Sequence, residues 1–542
     1  MELQELNVFF EKAVRENWES QAFSDYQGKD HTYEQLAEKI AGLHKVFGEL
    51  NIGKRDKIAL LGGNSSDWAI TYLAVVTYGS IVVPILPDFS TANIHHIVNH
   101  SDAKLLFVTD SIYQRIESDN MRALLGIINL NDHSIIRDNT KKLQEIFEND
   151  NELLTGPEEF SLKRFSLDDI CLLSYTSGTT GFTKGVMLSR RSISSNITYA
   201  QENMPLQPGN RIVSFLPMAH VYGMLFEFLF PFTLGCHITF LTKIPSPQIV
   251  TRAFGEIRPH LILSVPLVVE KIYKKRIQPS IEKPVMKFLL RTPLISSLIK
   301  NKINKKLENS FGEEFKELVI GGAPLSEEVD AFFRDIGFRF TIGYGMTECA
   351  PLISYASWTI SRFRSAGKVV DRMQIRISKK NEKDETGEIQ VKGDHVMSGY
   401  YKNVEDSKAA FTEDGWLKTG DLGYLDEDGF LYIKGRSKNM LLGPSGQNIY
   451  PEELEARICN LPYIQECVVK QVDQKLIALI YPEMDLLRQE KVDEDQLKKI
   501  MKDNRTRLNH DLPRFEHISE FIITDEEFRK TPKRNIKRYL YA

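Results

Sequence analysis

The chain has 542 residues, enough for three or four structural units at roughly 150 residues each. Its composition, 42% hydrophobic and 26% charged, excludes a disordered, fibrous or coiled-coil protein. A formal net charge of −4 supplies no global attraction to nucleic acid or to an anionic membrane, so small molecules are the expected partners and nucleic acid is not.

The first twelve residues carry early acids and lack the basic start and apolar core of a signal peptide. Five cysteines, Cys171, Cys236, Cys349, Cys459 and Cys467, have neither the short paired spacing of a zinc site nor the density of a disulfide scaffold. A reducing, cytoplasmic setting is expected. Residues 70–87 carry no charge, yet Gly79-Ser80 and Pro84 divide them into a buried helix and a buried strand. A second apolar run, 212–241, is interrupted by Pro217, His220, Glu227, Pro231 and His237, so neither run reads as a membrane span.

From Lys57 the pattern predicts a strand (58–61), a helix (67–78), a strand (81–83), a helix (about 90–100) and a strand (105–108). Short apolar runs alternating with helices indicate a parallel sheet covered on both faces. Further strands are expected at 170–174, 212–216, 238–241, 261–265, 318–320 and 338–342. Beyond Trp416 the texture changes to short β pieces, with Asp428-Gly429 turning a hairpin. Asp426 and Asp428 lack the remaining ligands of a calcium loop and read as turn residues. After Lys438 a smaller α+β segment follows: a helix from Pro451, strands at 467–470 and 476–481, a polar helix from Asp493 and a strand at 521–523. The fold class is thus α/β, a large multi-subdomain N-terminal domain (1–437) with parallel and mixed sheets plus a small β region, and a smaller α+β C-terminal domain (438–542).

Four glycine-rich or polar stretches follow strands directly: Thr176-Ser177-Gly178-Thr179-Thr180-Gly181, Pro217 to His220, Gly321-Gly322-Ala323-Pro324 and Gly343 to Glu348. Ligands of open α/β sheets bind beyond the carboxyl ends of strands, so one strand edge is expected to gather all four. The first, YTSGTTGFTKGV, joins three glycines and five serine and threonine hydroxyls to Lys184, which suits a polyphosphate. It is not the Walker loop, because no Gly-Lys-Ser/Thr follows and 186–188 reads as another strand.

These stretches, with PMAHVYG from Pro217, GGAPL from Gly321, YGMTECAP from Tyr344, TGD from Thr419 and GRSK from Gly435, resemble in order the signatures of the acyl-adenylate-forming superfamily. That superfamily holds acyl-CoA synthetases, luciferases and peptide-synthetase adenylation domains. GQNIYPEELE from Gly446 is similar to its long-chain fatty acid branch. The resemblance implies activation of a fatty acid by ATP and Mg²⁺ to acyl-AMP, then thioester formation with coenzyme A. An acyl-carrier-protein phosphopantetheine is the alternative acceptor, and an impaired ATP- or acyl-binding sensor the alternative function.

The resemblance also implies roles. Thr176, Ser177, Gly178, Thr179, Thr180, Gly181 and Lys184 would hold the β- and γ-phosphates, with Thr176 near the metal. Thr347 and Glu348 would meet the α-phosphate and Mg²⁺, a carboxylate among phosphates making sense as a ligand for a hard cation. Tyr344 and Gly345, with Gly321, Gly322 and Ala323, would hold adenine, and Asp421 with Arg436 the ribose. His220 would contact the carboxylate substrate, Lys438 would be the hinge, and Gly446 and Asn448 would approach the thiol. The catalytic lysine of the C-terminal pattern aligns with Asn535, an amide without charge, so Lys533 or Lys537 is expected to supply the cation.

Several residues are set aside. His96 and His100 have no third ligand for a metal and read as surface helix residues, and no motif places a histidine to activate Cys349. The basic amphipathic stretch 283–306 is expected to pack on the body with its lysines in solvent, leaving at most peripheral contact with the inner membrane face.

Overall fold

The computed structural model describes residues 3–121, 123–148, 154–177, 183–243, 245–290, 292–382, 384–442, 448–473, 475–531 and 536–541. Among them, the largest sheet has eight strands, in the order Gly399–Tyr400, Thr183–Ser189, Ile170–Ser177, Ile81–Ile85, Lys57–Leu61, Ala103–Val108, Gly126–Asn129 and Ile135–Asp138. The five strands from Ile170–Ser177 to Gly126–Asn129 run parallel, and antiparallel partners close both sides.

Burial explains why this sheet reads as unbroken apolar runs: all of Ile81–Ile85 is buried, as is helix Ser66–Tyr78 except for its last residue. Ser65 caps that helix by accepting a hydrogen bond from Trp68 N at 3.1 Å, and Gly79 ends it in the left-handed region. The strand passes through Pro84, which has no N–H to donate, and its ladder to Ile170–Ser177 registers at the single pair Val82 and Leu172.

A four-stranded sheet joins Arg211–Ser214, His237–Phe240, Gln21–Asp25 and Asp30–Thr32. A parallel three-stranded sheet joins Leu261–Ser264, Glu317–Ile320 and Phe340–Ile342. Farther along, Met373–Ser378, Gly387–Gly393, Leu417–Leu425 and Leu431–Arg436 form an antiparallel sheet whose last turn is the hairpin expected at Asp428-Gly429. There Asp426 accepts from the backbone N–H groups of Asp428 and Phe430, as a turn residue does.

The last segment has its own hydrophobic cluster, including Leu454, Ile458, Val469, Ile480 and Met501, distinct from the main core. It contains helices Pro451–Ile458 and Glu494–His510 on a sheet of Ile464–Val472, Lys475–Pro482 and Ile518–Ile523. Polar contacts tie it to the body. Arg364 bridges Glu327 and Glu453, Lys434 meets Glu453 at 3.1 Å, and Lys274 donates to Cys459 O at 2.8 Å. Among the described residues no helix is long and apolar enough to cross a membrane.

Candidate functional site

The four stretches do not follow one strand edge. Their strands belong to three sheets: Ile170–Ser177 to the eight-stranded sheet, Arg211–Ser214 to the four-stranded one, and Glu317–Ile320 and Phe340–Ile342 to the parallel three-stranded one. Side chains and a short connecting segment bring them together.

At one end, strands Ile170–Ser177 and Thr183–Ser189 form a hairpin whose register sets Thr176 opposite Lys184. Cross-strand partners point to one face, so hydroxyl and ammonium share a surface. The Lys184 Nζ lies 2.5 Å from Asp406 and 5.2 Å from the centre of the Tyr400 ring. The Tyr400 hydroxyl donates to Glu348 at 3.0 Å. Residues 397–401 act as the staple: Met397 N donates to Glu348 O, while Ser398 N and Tyr401 N donate to Met187 O and Gly185 O. Lys184 holds the Asp406 carboxyl below its usual range, with Lys438 adding to the effect.

At the other end, the pairing of Leu417–Leu425 with Leu431–Arg436 sets Asp421 opposite Arg436, and Arg436 Nε meets Asp421 Oδ1 at 2.7 Å. The second carboxylate oxygen accepts the Tyr344 hydroxyl at 2.6 Å. Asp421 is only 5% exposed, and burial raises its carboxyl while Arg436 and Tyr344 oppose that. Burial likewise pushes the Tyr344 phenol up, and Asp421 adds to it. Each carboxylate oxygen keeps a further acceptor position, which fits a vicinal diol. The charge of Glu348 also raises Asp421, so the two ends are electrostatic neighbours.

Tyr222 joins the third wall. Its hydroxyl donates to Val319 O at 3.2 Å, and its ring fills the space where a Cβ on Gly321 would sit, 3.1 Å away. Gly322 has φ +84°, a conformation that favours glycine. The Pro217 to His220 turn is held by Asn64, which donates to Leu216 O and accepts from Met218 N. Half-buried His220 precedes the helical turn Val221–Gly223, its carbonyl accepting from Met224 N. Under the turn, the buried Glu227 carboxyl accepts from the N–H groups of Phe215 and Leu216, both at 2.9 Å, and burial raises it strongly.

The other candidates lie as follows. Thr347 is buried beside Glu348 in the turn Thr347–Cys349, and Gly345 pairs with Leu352. Lys438 is an exposed turn residue between Ser437, tied to Gly420 O, and Asn439, tied to Glu452. The backbone of Ser177 ends its strand, and Asn448 begins the strand Asn448–Ile449. Gly178, Thr179, Thr180, Gly181, Gly446, Lys533 and Asn535 lie outside the described residues.

In the tail, Lys530 pairs antiparallel with Ile536. Half-buried Lys537 donates its backbone N–H to Arg529 O. Arg538 is clamped on Glu455, whose carboxyl burial pushes up to about 7, and it donates to Val469 O at 3.0 Å.

Among the described residues no group of three or more His, Cys, Asp or Glu could hold a metal ion. Glu348 offers one carboxylate, so a hard cation there would complete its shell with oxygens of a bound phosphate and water, as Mg²⁺ commonly does. Cys349 is fully buried with its thiol pushed well up, unsuited to nucleophilic attack. His100 differs from the surface reading. Half-buried, it stacks on His96 at 5.2 Å and bonds the Tyr175 hydroxyl at 2.8 Å, bracing the strand Ile170–Ser177.

Sequence reasoning missed Tyr400, Asp406 and the use of Tyr222 and Glu227. Tyr222 stands inside PMAHVYG and could have been found there, and a glutamate inside an apolar run was itself a signal. Nothing in the sequence pairs Asp406 with Lys184.

The family model described as AMP-binding enzyme matches residues 10–401. The long-chain-fatty-acid–CoA ligase FadD15 of Mycobacterium bovis is 29% identical over 469 residues, 81% of this chain and 75% of that protein. The putative acyl-CoA synthetase YngI of Bacillus subtilis is 26% identical over 538 residues, 94% of this chain and 91% of that protein. In fold, the chain is similar to the anthranilate CoA ligase AuaEII in complex with anthranoyl-AMP, with a TM-score of 0.79, 18% identity and coverage of 100% and 97%. It is also similar to the O-succinylbenzoate coenzyme A synthetase of Bacillus subtilis in complex with ATP and magnesium ion, with a TM-score of 0.76, 21% identity and coverage of 99% of each chain.

Proposed function

Because the chain belongs to the AMP-binding enzyme family, we propose that it is an AMP-forming acyl-CoA ligase that activates a fatty acid with ATP and passes it to coenzyme A. The observation that carries this reading is the polar chain of the site: Lys184, Tyr400 and Glu348 at one end, and Tyr344, Asp421 and Arg436 at the other. The charge of Glu348 reaches Asp421, which supports one nucleotide lying across both ends.

In the first step a carboxylate oxygen attacks the α-phosphorus, and the bond to the bridging oxygen breaks to release pyrophosphate. Charge must be offset at every stage, since all reactants are anions. Lys184, with Thr176, Ser177 and the loop Gly178 to Gly181, holds the β- and γ-phosphates. Thr347 orients the α-phosphate, and Glu348 would hold Mg²⁺, which would supply further positive charge there. Asp421 and Arg436 hold the ribose, while Tyr344, Gly345 and the Gly321-Gly322-Ala323 backbone hold the base. His220 faces the incoming carboxylate. In the second step the thiol sulfur attacks the acyl carbonyl carbon, the bond to the phosphate oxygen breaks, and AMP leaves.

The division into 1–437 and 438–542 serves these two steps, with Lys438 as the hinge. The ion pairs across it are partly exposed, and such pairs contribute about 1 kcal/mol or less each, so rotation costs little. After rotation Gly446 and Asn448 line the thiol approach. The tail brings Lys537 or Lys533 toward the α-phosphate in the adenylating arrangement, as Asn535 has no charge. The work is cytoplasmic, with peripheral contact at the inner membrane face.

The test is ATP–pyrophosphate exchange across acids from acetate to palmitate, then addition of coenzyme A or a phosphopantetheinylated carrier protein. Exchange that rises with chain length is expected, with thioester forming on free coenzyme A. Thioester on the carrier alone moves the acceptor, and no exchange with any acid makes the protein a sensor. Lys537→Ala and Lys533→Ala test the tail: wild-type exchange by both defeats that assignment.

A further inference from the structure

Residues 271–306 carry eleven lysines and arginines against one acid, Glu282, in a chain whose net charge is −4. This stretch contains helices Pro284–Leu290 and Pro293–Asn309. It was expected to turn its apolar side chains inward. Instead Val285, Phe288 and Leu298 are 71%, 71% and 72% exposed. Among the described residues, five of fifteen exposed large apolar side chains fall between 267 and 298, adding Leu267 and Ile295 to these three. Isolated exposed apolar residues need no explanation, but a cluster of this kind marks an interaction surface.

The outer face of the longer helix is ordered along its axis. Ile295, Leu298, Lys302 and Lys305 follow one another at spacings of three and four and so form one stripe, all four exposed. On the opposite side Ser296 and Leu307 are buried, Ile303 packs on the main core, and Lys300 pairs with Asp335 at 2.6 Å. The inner face is therefore anchored, and the outer face presents apolar groups beside the exposed ammoniums of Lys302 and Lys305.

We propose that this stretch docks the protein on an anionic lipid bilayer, with the exposed Val285, Phe288, Ile295 and Leu298 of its two helices entering the headgroup boundary and the surrounding lysines on lipid phosphates. A helix lying in the interface needs this pairing of an apolar stripe with cations at its border. A second copy of the chain would set two strongly basic faces against each other, which charge forbids. Nucleic acid would engage the lysines but leave the apolar stripe without use. The inference deepens the peripheral membrane contact of the proposed function and gives it a surface, without depending on the fatty acid reaction.

The experiment is flotation of the full chain with vesicles of phosphatidylcholine alone or with about a third phosphatidylglycerol. Binding to the anionic vesicles is expected, falling steeply as salt is raised. Phe288→Ser with Leu298→Ser, and separately Lys302→Glu with Lys305→Glu, should each lower the bound fraction about tenfold with an unchanged thermal melt. Wild-type protein that stays with the soluble fraction, or variants that float like wild type, overturns the proposal. A wild-type dimer in sedimentation that Phe288→Ser with Leu298→Ser dissolves, without vesicle binding, overturns it in favour of self-association. Acid-dependent pyrophosphate exchange is measured in parallel without vesicles, so failure of the chemistry and failure of docking are read separately.

Discussion

The two ends of the candidate nucleotide site are prepared differently. At Asp421 both carboxylate oxygens are already engaged, by buried Tyr344 and by Arg436, and the carboxyl itself is only 5% exposed. At Lys184 the partners are Asp406 and the Tyr400 ring, and the lysine and aspartate side chains are 29% and 41% exposed. The first end is preorganised and fixes where a nucleoside can sit. The second holds a cation on a replaceable partner, so an arriving polyphosphate must displace Asp406 to reach it. A rigid end with an exchangeable end suits a ligand that is itself a rigid ring system carrying a flexible polyanion.

Four substitutions test that contrast, in order of expected size. Glu348→Gln removes the charge that holds the cation, and exchange should fall about 10²–10³-fold in kcat with little change in KM for ATP. A loss confined to KM would place Glu348 at the binding step alone. Asp421→Ala strands Tyr344 and Arg436 without their acceptor, and ATP affinity, followed by calorimetry, should weaken about a hundredfold. Weakening of only twofold would show that the closed end is not what fixes the nucleoside.

The third concerns the strand that leads to Gly321. Fully buried Glu317 accepts from Tyr355 Oη at 2.5 Å and Trp358 N at 2.6 Å, and burial pushes its carboxyl up to about 7. A carboxyl raised above its unfolded value stabilises the fold below about pH 4.5, and that stability is lost as pH rises through about 7. The contribution is on the order of 3 kcal/mol. Glu317→Gln should therefore flatten the fall in Tm between about pH 5 and 8, and an unchanged slope would discount the buried carboxyl. The smallest effect is at the exchangeable end. Asp406→Asn releases Lys184, and ATP should bind about three- to fivefold more tightly at low salt. Weaker binding would mean that Asp406 positions the lysine rather than competing for it.

Much of this arrangement was legible in the sequence, because apolar period and turn residues report local structure. The helix from Asp67, the strands at 58–61 and 105–108 and the hairpin at Asp428-Gly429 lie where the pattern set them. The pairing of strands was not legible. Nothing in an apolar run says which sheet it joins, and the four polar stretches prove to rest on three sheets. The contacts that assemble the site, Tyr400 on Glu348 and Tyr222 on Val319 O, join residues far apart in sequence. The stretch 283–306 was read only in part for a related reason: one face packs on the body as expected, but periodicity does not say that Val285, Phe288 and Leu298 stay uncovered.

The three-sheet origin of the walls has a consequence for how such a protein can change. Each wall is carried by its own ladder of hydrogen bonds, and they meet through a few side chains and the short backbone staple at 397–401 rather than through one continuous sheet. A substitution that reshapes the turn from Pro217 to His220 strains the sheet of Arg211–Ser214 and leaves the register of Asp421 against Arg436 intact. Preference for one acid over another can then drift across generations of mutation while the grip on the nucleotide stays constant, which makes the architecture easy to diversify.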